Sequence, residues 1–80
     1  MPGLFENLDK AIGLKQSRRA LREGRVREAY VAGDAEERIT GPFAQACRSE
    51  NIPVTEIPTM RELGAAAGIE IGAAVVTVLK

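Results

Sequence analysis

The 80-residue chain has no histidine and a single cysteine, Cys47. Without histidine it lacks the commonest general base and proton shuttle near neutral pH. One cysteine cannot form an internal disulfide, and with no imidazole beside it a zinc site has almost no ligands to draw on. Aromatic residues are only 4% of the chain, so any core must be built from Ala, Val, Ile and Leu. No apolar run approaches the roughly 20 residues of a membrane span. Met1-Pro2-Gly3-Leu4-Phe5-Glu6 has neither the basic start nor the apolar stretch of a signal peptide, so a cytoplasmic address is the default expectation. There is no phosphate-binding P-loop, no dinucleotide glycine pattern and no nucleophile elbow. An enzyme is therefore disfavoured, and no cofactor or metal is implied.

Hydrophobic residues make up 45% of the chain, too many for a disordered segment. The length suits one domain spanning residues 1–80, with about 60% of the unfolded surface available for burial. Net charge is zero, but the charges are unevenly spread. Lys10, Lys15, Arg18, Arg19, Arg22, Arg25 and Arg27 face only Glu23 between them, and the remaining chain is net acidic. Such a stripe can focus field on one surface.

Leu4, Phe5, Leu8, Ala11 and Ile12 fall at helical spacing and predict a first amphipathic helix ending at Gly13. A second helix is expected from Leu14 to Glu23, stopped by Gly24, with Leu14, Ser17, Ala20 and Leu21 inward. Glu28–Ala32 reads as a buried strand, and Gly33-Asp34-Ala35 as a turn. A third helix is expected with Thr40 as cap, Pro42 in its first turn, and Phe43, Ala46 and Cys47 on its inner face. Val54–Ile57 is the next strand. Thr59-Met60-Arg61-Glu62 is a capping box opening a short helix that ends at Gly68. Ala73–Leu79 is apolar enough to be a central strand. The expected architecture is a three-layer α/β/α sandwich with a small mixed sheet of about four strands, its helix-joined strands running parallel.

Three features invite a chemical reading. Lys15, Arg18, Arg19 and Arg22 share one helix face. A merely solvated face usually mixes acids with bases, whereas this one is purely basic and begins at a helix N-terminus, where free amides favour a phosphate. Gly68-Ile69-Glu70-Ile71-Gly72 joins a helix to a strand with two aliphatics between glycines. Either the isoleucines are exposed as a contact surface, or one or both turn into the core. Cys47 reads as a small buried hydrophobe. Asp34, Glu36 and Glu37 lack the order of an EF-hand and read as acids stabilising a helix start.

Gly13-Leu14-Lys15-Gln16-Ser17-Arg18-Arg19-Ala20-Leu21 resembles the helix-opening motif of the L7Ae/L30e ribosomal-protein superfamily. Leu63-Gly64-Ala65-Ala66-Ala67-Gly68-Ile69-Glu70-Ile71-Gly72-Ala73-Ala74 resembles that superfamily's second signature. The match is best to its bacterial branch of short kink-turn binders and covers nearly the whole chain. The resemblance implies the same sandwich fold and recognition of kink-turn RNA, a bent helix–bulge–helix element with sheared G·A pairs. It implies an RNA-binding set of Gly13, Leu14, Lys15, Gln16, Arg18, Arg19 and Arg22 with Ile69, Glu70, Ile71 and Gly72. Lys15, Gln16 and Arg19 would enter the major groove at the G·A pairs, and the isoleucine loop would pack on bulged nucleotides. Gln16 stands where archaeal members carry Glu, and it both donates and accepts hydrogen bonds. Gly72 stands where they carry Pro, which bears on the loop's rigidity. The implied partner is structured RNA, in ribosomal RNA or an mRNA leader, bound by a monomer, with no DNA or membrane partner. The alternative is a ribosome-associated protein-interaction domain on the same fold.

Overall fold

The computed structural model describes residues 9–80. The elements, in order, are β1 (Lys10–Ile12), α1 (Leu14–Arg22), β2 (Val26–Ala32), α2 (Glu37–Ser49), β3 (Val54–Ile57), α3 (Met60–Ala66) and β4 (Val75–Leu79). The four strands form one mixed sheet in the order β1-β4-β2-β3.

Alternation along the central strands divides the core. Val76 and Val78 of β4, with Ala32 of β2, pack against Leu63, Ala66 and Ala67 from α3. Val75, Ala29 and Val31 face the other way, onto Phe43 and Cys47 of α2, with Leu14 and Leu21 of α1 packed alongside. Two helices thus cover one face and α3 the other, and the expected three layers are present. β4 is central and buried along most of its length, as its apolar run predicts.

Each helix ends in a paired cap. At α1 the Gly24 amide donates to Leu21 and the Arg25 amide to Ala20. Asn51 closes α2 in the same way at φ 61°. This is the left-handed residue that satisfies the last carbonyls of a helix.

Three expectations need correction. Ala11 and Ile12 belong to a strand, with Lys10↔Val78, Ala11↔Thr77 and Ile12↔Val76 paired antiparallel. Leu4, Phe5 and Leu8 lie outside the described residues. Spacing alone cannot separate a helix end from a three-residue strand, and the open side of β4 supplies ladder bonds no isolated segment has. Next, α2 starts at Glu37, several residues before the expected Thr40 cap. Thr40 is buried inside the helix and its hydroxyl donates back to the Glu36 carbonyl at 3.5 Å. Pro42 sits in the second turn, on the exposed side, where its missing N–H forfeits one helical bond.

Finally, only β2 and β3 run parallel, and β4 is antiparallel to both β1 and β2. The cause lies in the α3 connection. The Ala73 amide donates to the Met60 carbonyl at 3.0 Å, so the chain approaches β4 beside the start of α3. It therefore enters the sheet from the end at which β3 left it.

Cys47 is wholly buried, and removal from water pushes its thiol above the ordinary range while Arg48 pulls weakly the other way. Cys47→Ala is expected to cost on the order of 1 kcal/mol in urea denaturation. The native thiol should react with a disulfide reagent only as fast as the fold opens; immediate stoichiometric labelling would show that the side chain is not core.

Candidate nucleic-acid interface

The start of α1 is positioned by the sheet. Gly13 is its N-cap at φ 94° and ψ 159°, a conformation closed to most side-chain-bearing residues. The Gly13 amide donates to the Val75 carbonyl at 2.8 Å, locking the turn onto the head of β4. Beneath it the buried Thr77 hydroxyl donates to Ser17 Oγ at 3.3 Å, and Ser17 donates to the Ala11 carbonyl. These bonds hold the underside of α1 to β4 and β1 and so fix which way its outer face points.

Among the described residues no side chain caps the first turn of α1, and no acid lies in that turn. Its opening amides are left for a ligand or water, and its dipole favours negative charge. Lys15, Gln16, Arg18, Arg19 and Arg22 are all exposed, whereas Ser17 and Ala20 are buried. The basic face read from spacing is therefore real, but it has two flanks. Gln16 and Arg19 border a hollow beside β1 that also holds Lys10 and Arg25. Arg18 and Arg22 lean toward α2. Arg19 shares Glu23 with Arg25, at 3.4 and 3.2 Å. The two guanidinium groups hold the Glu23 carboxyl below its usual range, the Arg25 hydrogen bond acting most strongly. Such exposed pairs are weak enough for Arg19 to exchange Glu23 for another anion.

The second half of the site is the connection from α3 to β4. Ile69 turns inward and packs on the α3-side core, whereas Ile71 is 74% exposed. Both readings of the loop thus hold, one for each isoleucine. Glu70 and Gly72 are exposed. The loop is pinned at both ends: the Ile69 amide donates to the Gly64 carbonyl and the Ala73 amide to that of Met60, each at 3.0 Å. A Cβ on Gly64 would overlap the Ile71 carbonyl oxygen, and one on Gly72 would meet Met60 at 3.0–3.3 Å. Close packing against α3 therefore constrains this loop without a proline.

Residue 71 is four residues from Val75, so their Cα atoms lie within about 14 Å even if the chain were fully extended. Val75 in turn holds Gly13. Gly13 and Ile71, 58 positions apart in sequence, consequently lie toward one end of the sheet.

Two contributors were not apparent in the sequence. Met60 is 37% exposed beside Gly72, extending the apolar surface of Ile71. Asp34 accepts from the Met60 amide at 2.7 Å, so it anchors the start of α3, whereas Glu37 occupies the first turn of α2. Thr59 accepts from the Glu62 amide at 3.0 Å, the expected half of the capping box, but the Glu62 carboxylate turns to the Thr59 hydroxyl. The capping box marked Met60 as a first-turn residue; nothing local marked it as exposed beside the loop. Among the described residues no cluster of three His, Cys, Asp or Glu is placed to hold a metal ion, and no helix is long and apolar enough to cross a membrane.

The described residues form a small α/β/α domain that carries an exposed basic helix start and an aliphatic loop. The chain belongs to the ribosomal protein L7Ae/L30e/S12e/Gadd45 family, whose model matches residues 9–80. It is 44% identical over 69 residues to RNA-binding protein YbxF of Geobacillus stearothermophilus, covering 86% of this chain and 84% of that one. An RNA-binding protein of Geobacillus sp. (strain WCH70) is 41% identical over the same length and shares. Among solved structures, a protein of unknown function from Bacillus halodurans superimposes with a TM-score of 0.79 at 25% identity, covering 89% of this chain and 71% of that one. The Giardia lamblia 15.5kD RNA binding protein gives 0.83 over 98% of this chain and 65% of its own, and at 20% identity it speaks for the fold alone.

The two mid-helix glycines make a paired test of the loop clamp. Beyond its chain neighbours Gly41→Ala meets only Glu37 Cγ at 3.5 Å, and the helix propensity gained is offset by the strain of a Cβ directly before Pro42, so stability should change by less than about 1 kcal/mol. Gly64→Ala should instead destabilise by roughly 1–3 kcal/mol, because helix or loop must move to admit the methyl group. Chemical denaturation reads both; a Gly64→Ala variant as stable as the parent would mean that the loop does not rest on α3.

Proposed function

We propose that the chain is an RNA-binding protein that recognises and stabilises kink-turns, acting as a cytoplasmic monomer on ribosomal RNA or an mRNA leader. The observation that carries this reading is the meeting of the uncapped start of α1 with the exposed Ile71 at one end of the sheet. Regular A-form RNA hides its base edges in a deep, narrow major groove, so proteins read distorted pairs and bulges. A kink-turn offers both together. Lys15, Gln16 and Arg19 are suited to base edges and phosphates at the G·A pairs, with Arg18 and Arg22 reaching backbone further along. Ile71 and Met60 supply an aliphatic platform for unstacked bases. The amides of Leu14 and Lys15 are further donors to phosphate. The protein shifts the RNA toward its bent form only to the extent that it binds that form better. The RNA-binding relatives support the nucleic-acid part of this reading, and the bacterial kink-turn resemblance supports the specific target.

Binding and bending should be strong with an intact kink-turn and weak when its G·A pairs are replaced by Watson–Crick pairs. Fluorescence transfer between labelled RNA arms reads this directly, and equal binding of the two RNAs would reduce the interaction to charge attraction. The two halves of the site should also separate by salt. Arg19→Ala should flatten the log–log salt dependence of affinity by about 0.7–0.9 for one lost phosphate contact. Ile71→Ala should lower affinity by roughly 1.5–3 kcal/mol and leave that slope unchanged. If Ile71→Ala binds like the parent, the loop is not part of the site.

A further inference from the structure

On the flank of α1 opposite the hollow beside Gln16 and Arg19, a groove of about 710 Å³ opens between α1 and α2, larger than that hollow at about 500 Å³. Its floor is aliphatic and aromatic: Leu14 and Leu21 from one wall, Ile39 and Phe43 from the other. Ile39 is 37% exposed, so the groove presents a large aliphatic to solvent. Arg18, Arg22 and Arg38 line the groove, and among the described residues no carboxylate does. Among the described residues Arg18 and Arg22 hold no ion pair, and Arg38 holds only Glu36, at 2.7 Å between two exposed side chains.

We propose that this groove is a docking surface for an acidic amphipathic helix of a partner protein. Single-strand nucleic-acid grooves track phosphates with cations and stack bases on aromatic faces. Here Phe43 is 97% covered as part of the floor, and among the lining residues no apolar side chain projects as Ile71 does, Ile39 being 37% exposed against 74%. An apolar trough edged by cations of one sign instead complements a helix that lays aliphatic anchors into the trough and carboxylates over the rim. α1 is nine residues, about 13 Å long, so the groove takes roughly two turns of such a helix. Its partner would sit on the flank of α1 turned away from Gln16 and Arg19, sharing with RNA only the arginines Arg18 and Arg22.

The test uses two synthetic peptides of about 14 residues, near the lower limit for an isolated helix. Both carry Leu at helical i, i+3 and i+7 spacing; one fills the other positions with Glu and the second with Lys. Titration into isotope-labelled protein should shift the amides of Leu21, Ile39 and Phe43 with the acidic peptide. Its affinity should exceed that of the lysine peptide by about tenfold and weaken with salt. Arg38→Glu and, separately, Ile39→Ser should each reduce peptide affinity several-fold. Both lie on α2 outside the proposed RNA set; each variant's amide spectrum reports that it is folded, and any RNA binding of the parent should be retained. The proposal is overturned if the two peptides bind alike, if the shifts fall elsewhere, or if a short RNA duplex shifts the Ile39 and Phe43 amides as the acidic peptide does. It does not depend on the kink-turn reading: failure of RNA binding leaves the peptide result standing, and the reverse also holds.

Discussion

The segment Ala73–Val75 is the knot on which this small domain depends. Within three residues it receives or donates hydrogen bonds to three separate parts of the chain. Ala73 donates to Met60 at the start of α3, Ala74 accepts from Ala32 at the end of β2, and Val75 accepts from Gly13 at the start of α1. Buried backbone groups are expensive to leave unpaired, so these bonds select one arrangement of the three segments. They also explain why β4 runs against its neighbours and why both halves of the candidate interface lie together. A domain of this size has little hydrophobic energy to spare, and it places its site where its most constrained backbone already lies.

Small residues make that knot possible. Ala73 is buried against α3, and Gly64 lets the Ile71 carbonyl rest directly on the helix. The alanine- and glycine-rich stretch from Leu63 to Ala74 is thus a close-packed joint. In consequence the loop projects Ile71 from a fixed base while Ile69 stays anchored in the core. A rigid apolar projection loses little conformational freedom on binding, which favours recognition. Gly72, standing where a proline would stiffen the backbone, leaves the loop braced by packing.

Much of the fold was legible because its signals are local. Gly24 and Gly68 marked real helix ends, Thr59 marked a real helix start, and the apolar run through Val75–Val78 marked the central strand. The failures were equally physical. Residues 10–12 carry no strand signature of their own and are a strand because β4 offers an unpaired side. Thr40 and Pro42 have the composition of a helix start, but Phe43, Ala44 and Cys47 bury strongly enough to keep Pro42 inside a longer helix. For the interface, the shared face of Lys15, Arg18, Arg19 and Arg22 could be read from spacing. Its division into a flank beside β1 and a flank beside α2 could not, because neither neighbour is close in sequence.

By itself the sequence determined the class of domain, the basic helix and the candidate aliphatic loop, since each rests on residues within one or two turns of one another. It also excluded histidine-based catalysis and an internal disulfide, since those need side chains the chain does not have. Only the tertiary structure decided which isoleucine is offered to solvent, that Asp34 serves α3, that Met60 joins the exposed surface, and that a cation-edged groove opens between α1 and α2. Each of these depends on long-range pairing, above all that of β4 with both neighbours, and no local propensity encodes where a strand will find its partner.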